Sequence, residues 1–105
     1  MNKSVTKEEL VPIAEKIVDT LVEKDEQYGS SWKKRGGVGA FMMAARKWDR
    51  LETFLSADHA AANKYDIFER ALKDLRKEGI ESDIGDLIGY LLLIQLEIQK
   101  LRASK

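Results

Sequence analysis

Apolar residues return every third or fourth position along most of this chain, a spacing that marks helices rather than strands. In TKEELVPIAEKIVDTLVEKDEQYG, Leu10, Ile13, Ile17 and Leu21 make one stripe, widened by Val18 and Val22. Thr6, with Glu9 three residues on, reads as a capping box. The pattern predicts a helix over about 7–27 that stops near Gly29, with Pro12 allowing a slightly later start. A second helix is predicted over VGAFMMAARKWDRLETFLSA, with Phe41, Ala45, Trp48, Leu51 and Leu55 on its core face. After the polar loop DHAAANK, a third covers YDIFERALKDLRKEG, where Tyr65, Phe68, Leu72 and Leu75 repeat and Gly79 closes the helix.

The fourth predicted helix, SDIGDLIGYLLLIQLEIQKLR, is capped by Ser82, and Asp83 and Asp86 favour its positive end. Between Ile84 and Ile98 it is apolar nearly all round, which calls for protein on every side. Three neighbours in a small bundle leave one side uncovered, so a subunit interface is expected there. The stripe Leu87, Leu91, Ile94, Ile98 and Leu101 reads as core or interface, and the tail RASK as frayed. The expectation is an all-α bundle of about four helices, one domain spanning 1–105, forming a dimer or tetramer through the C-terminal helix.

Composition narrows the functional classes. Eighteen basic and eighteen acidic residues cancel, so no overall field draws the chain to nucleic acid or an anionic membrane. An anion site must be a local patch. With no cysteine, disulfides, thiolate catalysis and Cys-ligated zinc are excluded. MNKSVTKEEL lacks the apolar core of a signal peptide, and LIGYLLLIQL is about half of a membrane span. A cytoplasmic protein is expected.

Two acid pairs stand out. Asp49 and Glu52, and Asp83 and Asp86, are each three residues apart and share a helix face. Four such carboxylates brought together repel unless a cation intervenes, and Mg²⁺ suits oxygen ligands of this kind. In a chain this rich in charge the same spacings also arise as solvated partners of Arg46 or Arg50, or as helix-dipole acids. Glu23 and Glu26 form a third pair, read as surface.

SWKKRGGVGAF supplies the opposite charge. Lys33, Lys34 and Arg35 precede Gly36 and Gly37, which let backbone amides approach a phosphate, and Lys47 lies further along the helix. Tyr28 and Trp32 offer flat faces for a base. The Walker spacing is missing. The alternative is a basic loop whose Trp32 packs on the core. His59, the only histidine, is a weak general-base candidate, Tyr90 could reach the cleft, and Met42 and Met43 read as packing residues.

The segments YGSSW, ARKWDRLE and DIGDLIGYLLL resemble the nucleotide-modification-associated domain of phages and bacteria, with its YG-x-x-W, K-x-x-R and D-L-x-x-Y motifs. More widely, residues 15–100 or so resemble the all-α nucleotide pyrophosphatases of the MazG and dimeric dUTPase type. That resemblance implies an oligomeric bundle hydrolysing a nucleoside triphosphate with Mg²⁺. Its ligand pairs match Asp49 with Glu52 and Asp83 with Asp86, Asp standing for Glu at the first place of each. Three functions follow: a Mg²⁺-dependent nucleotide pyrophosphohydrolase using those four acids; a non-catalytic phage protein sequestering a nucleotide or cyclic nucleotide; and an interaction bundle.

Overall fold

The computed structural model describes residues 4–57 and 64–104. The expected loop lies almost wholly outside them, and His59 with it. The chain divides into two units, Met1–Ser31 and Trp32–Lys105. It is all-α as expected, with four α-helices and no strand among the described residues.

The first unit is built on α1, Lys7–Tyr28. Thr6 Oγ1 accepts from the Glu9 N–H at 3.2 Å, and Glu9 Oε1 accepts from the Thr6 N–H at 2.9 Å. This reciprocal cap fixes the start at Lys7, and Pro12 sits inside the helix rather than delaying it. Gly29, at φ 58, ends the helix by donating its N–H to the Asp25 carbonyl at 2.8 Å. No residue of α1 is buried.

In the second unit α2 spans Gly36–Ser56, α3 Ile67–Leu72 and α4 Ile80–Ala103. A 3₁₀ turn at Ser31–Lys33 precedes α2. Helices α2 and α4 run antiparallel, because Lys33 meets Glu97, Lys47 meets Asp86 and Arg50 meets Asp83. Leu51, Leu55 and Ile80 form the buried core, and Phe54, Ile67, Ala71 and Ile84 pack on it. Towards the other end the buried residues are Ala40, Ala44 and Gly89. The pairing register sets Ala44 level with Gly89, so small residues face each other there.

Three expectations need correction. The buried face of α2 is Ala40, Ala44, Leu51 and Leu55, while Phe41, Trp48 and Met42 are exposed. Large aromatics are displaced from this face because the helix crossing takes alanine. Helix α3 is only 6 residues long, and its buried side is Ile67 and Ala71. Phe68, Leu72 and Leu75 are more than four-fifths exposed. Finally, Gly79 caps the start of α4 rather than the end of α3, and Ser82 lies inside α4. The tail stays helical through Ala103.

One carboxylate accounts for the last two changes. Asp74 Oδ2 accepts from the Ile80 N–H at 2.7 Å and so supplies the cap that Gly79 cannot. Arg76 grips the same carboxylate through Nε at 2.9 Å, Nη2 at 3.0 Å and its backbone N–H at 3.1 Å. A Cβ at residue 79 would stand 2.9 Å from Asp74 Oδ2, so glycine is what admits the carboxylate. A helix continuing past Leu72 would carry Asp74 away from this position. The short α3 and the early α4 are therefore one solution to satisfying amides at a junction.

The Arg76 hydrogen bonds, opposed by burial and helped by the Arg76 and Ile80 amides, hold the Asp74 carboxyl well below the usual carboxylate range. Its stabilising contribution is complete above the unfolded value of about 4 and is lost as pH falls below it. In urea titrations from neutral pH down to about pH 3, Asp74→Asn should be less stable near neutrality and fall less steeply in acid than the wild type. Parallel acid limbs for the two proteins would refute this.

Candidate functional site

An α-helix turns by about 100° per residue, so residues 40, 44, 47 and 51 of α2 share one side. Lys47 therefore stands in the middle of the buried stripe and is itself half-buried. Its Nζ lies 3.2 Å from Asp86 Oδ2 on α4, with the two side chains 20% and 25% exposed. One turn on, Arg50 places Nη2 3.5 Å from Asp83 Oδ1, and Arg76 places Nη2 3.4 Å from Asp83 Oδ2. Asp83 is buried and held between two guanidinium groups, one to each oxygen. Arg76 in turn lies 3.8 Å above the Phe54 ring centroid, and Arg70 lies 4.1 Å from it. The Arg70 Nη2 also donates to the Phe54 carbonyl at 3.2 Å. Carboxylate contacts, Asp74 foremost, raise the Arg76 pKa further above its ordinary value.

The four acids expected to converge do not. Asp83 and Asp86 do sit on the side of α4 that meets α2, but Asp49 and Glu52 are exposed. Two residues past Lys47, Asp49 is turned about 200° from it and faces away from α4. With Lys47 and Leu51 fixed in the seam, no rotation of α2 brings Asp49 in. The helix thus offers α4 the basic members of RKWDR rather than the acidic ones. Among the described residues no group of three or more Asp, Glu, His or Cys is placed to hold a metal.

The cationic turn lies elsewhere. From Gly36 to Lys47 is about 16 Å along α2, so the turn and the α4 acids occupy different ends of the pair. Lys33 donates to Glu97 Oε1 at 3.0 Å, while Lys34 and Arg35 are exposed. Gly36 adopts φ 74, and both Gly36 and Gly37 border open space. Gly39 matters differently: a Cβ there would meet the Arg35 Cβ at 2.7 Å, so glycine lets Arg35 fold over the first turn. Neither a side-chain cap nor an acid in the first turn satisfies the amides that open α2. Trp32 and Tyr90 are half-buried in this unit, and Tyr28, in the first unit, is exposed. Glu23 and Glu26 are exposed on α1.

Sequence reasoning missed Asp74, Arg76 and Phe54. The one available signal was the charged cluster KDLRKE, which interrupts the third apolar stripe. Asp83→Asn should cost about 2 kcal/mol, less than for a fully buried pair because Arg50 and Arg76 reach solvent, whereas Asp49→Asn should stay within about 0.5 kcal/mol. Urea unfolding of both variants checks this, and equal effects would contradict the assigned faces. Compared with known protein families, characterised proteins and solved structures, the chain matches none.

Proposed function

We propose that this chain binds the phosphate groups of a nucleotide at the cationic turn before α2, and holds the ligand without hydrolysing it. The carrying observation is the open start of α2. The N-termini of α1 and α3 are satisfied by Thr6 and Asp66, and that of α4 by Asp74. Only α2, among the described residues, begins without a side-chain acceptor, and Lys33, Lys34 and Arg35 lead directly into it. Unsatisfied amides at the positive end of a helix beside exposed cations favour an anion with several oxygens. Lys34 and Arg35 would take the phosphates, Gly36 and Gly37 would admit them to the backbone, and Trp32 offers a face for the base. The nucleotide part of this reading rests on Trp32 and on the resemblance of the YGSSW and DLIGY segments.

Hydrolysis asks for more. Attack by metal-bound water needs carboxylates holding Mg²⁺ next to the phosphates. Here Asp83 and Asp86 lie far along α2 from the turn, with Lys47, Arg50 and Arg76 against them. The Mg²⁺-dependent pyrophosphohydrolase is therefore the second reading, favoured by the i, i+3 placement of those two acids alone.

Calorimetric titration with pyrophosphate, nucleoside triphosphates and a cyclic dinucleotide, in EDTA and in Mg²⁺, separates the two. Binding should persist in EDTA, weaken with added salt, and fall about tenfold in Lys34→Ala and in Arg35→Ala, with the nucleotide recovered intact. Release of pyrophosphate only in Mg²⁺, abolished by Asp86→Asn, would replace binding with hydrolysis. No heat from any of these ligands would overturn both.

A further inference from the structure

The three most exposed large apolar side chains among the described residues all fall in 68–75. Phe68, Leu72 and Leu75 are 81%, 89% and 96% exposed. The packing beneath them keeps them there. Ile67 and Ala71 turn to the Leu51, Leu55 and Ile80 core, which leaves Phe68 and Leu72 on the outer side of α3. Turning α3 to bury Phe68 would pull Ile67 and Ala71 out of that core. Leu75 stands between Asp74 and Arg76, both drawn to the start of α4, and is left pointing outward.

The charges of this segment are sorted in the same way. Asp66 accepts from the Glu69 N–H at 3.0 Å, one Glu69 oxygen is buried, and Asp74 caps α4. Lys64, Lys73 and Lys77 are exposed, against Glu78 as the exposed acid. The outer side is therefore apolar with a cationic rim, although the whole chain is charge-balanced. Two properties select what covers it. Side chains this exposed stand on a ridge with no wall of the unit beside them, so the partner has to close round them. Lysine is depleted in protein interfaces, whereas lysine beside phenylalanine and leucine marks surfaces that lie on anionic bilayers. A bilayer boundary takes up projecting apolar groups, and its negative charge attracts the lysines. Tyr65, 55% exposed, adds an aromatic of the kind that settles at headgroup level.

We propose that the Phe68, Leu72 and Leu75 ridge docks this chain on an anionic lipid surface, with Lys64, Lys73 and Lys77 against the lipid charge. No helix among the described residues is long and apolar enough to cross a membrane, so the contact is peripheral. The inference does not depend on the nucleotide reading. A lipid phosphate is also a ligand for the cationic turn before α2, and variants at the two places tell them apart.

Co-sedimentation of the whole chain with vesicles tests it, using phosphatidylcholine alone or mixed with phosphatidylserine, and circular dichroism on every variant. The chain should pellet with the mixed vesicles only, and less as salt rises. Leu72→Ser combined with Leu75→Ser should abolish binding at unchanged helicity, since both side chains already stand in solvent. Lys73→Ala and Lys77→Ala should each weaken binding about fivefold. Lys34→Ala and Arg35→Ala should leave it unchanged. Binding lost in Lys34→Ala but kept in the double serine variant would assign the lipid to the turn and overturn the proposal. Failure to pellet with mixed vesicles would also overturn it, in favour of a protein partner. So would pelleting without vesicles that the double serine variant abolishes, in favour of a second copy of this chain.

Discussion

A carboxylate buried between two helices has to be answered by positive charge, and much of this chain is arranged to answer Asp83. Leaving such a group unpaired would cost several kcal/mol, on the order of the stability of a small domain. Arg50 reaches it from α2 and Arg76 from the segment before α4, so this acid in the first turn of α4 ties three parts of the sequence together. Arg76 can serve there only because Asp74 holds its other side and Phe54 lies beneath its plane. Asp74 also supplies the first amide of α4 with its acceptor. Core, cap and ion pair are thus coupled, and the charges do work that the few buried apolar side chains, Leu51, Leu55 and Ile80 foremost, do not complete alone.

The same demand decides which chemistry the α2–α4 cleft can present. Lys47 occupies a seam position that an aliphatic residue would ordinarily fill, and its charge is spent on Asp86. An acid at that position would have made a carboxylate cluster suited to a hard cation. A lysine makes a charge-balanced seam. Exposed cations stand instead at the open start of α2, where Lys34 and Arg35 lead into a helix end without a side-chain cap. The exposed cationic turn and the acid-bearing cleft are therefore separated along the helix, and a ligand at the proposed phosphate site need not touch the acids.

Apolar surface is distributed just as unevenly. The crossing of α2 and α4 consumes small residues, Ala40, Ala44 and Gly89, and this leaves Phe41 and Trp48 outside the seam. Helix α3 is too short to cover what its neighbours leave bare, and its own Phe68 and Leu72 face solvent. Among the described residues of this unit the buried apolar side chains are therefore few.

The sequence by itself determined what depends on near neighbours. The Thr6–Glu9 cap, the Gly29 stop, the helical class and the approximate extents of α1 and α2 all arise from contacts within four residues, where spacing and geometry are nearly the same thing. It also marked the open basic turn and the apolar excess of α4. The tertiary structure alone decided which flank of each stripe turns inward. Phe41, Ala45 and Trp48 and the true seam of Ala40, Ala44, Lys47 and Leu51 are both helically spaced, and only the packing of α2 on α4 chooses between them. That choice turned Asp49 and Glu52 outward and Lys47 and Arg50 towards Asp86 and Asp83. Asp74, six residues from the amide it caps, was likewise invisible to local rules, because its acceptor role exists only once Arg76 has folded back to hold it.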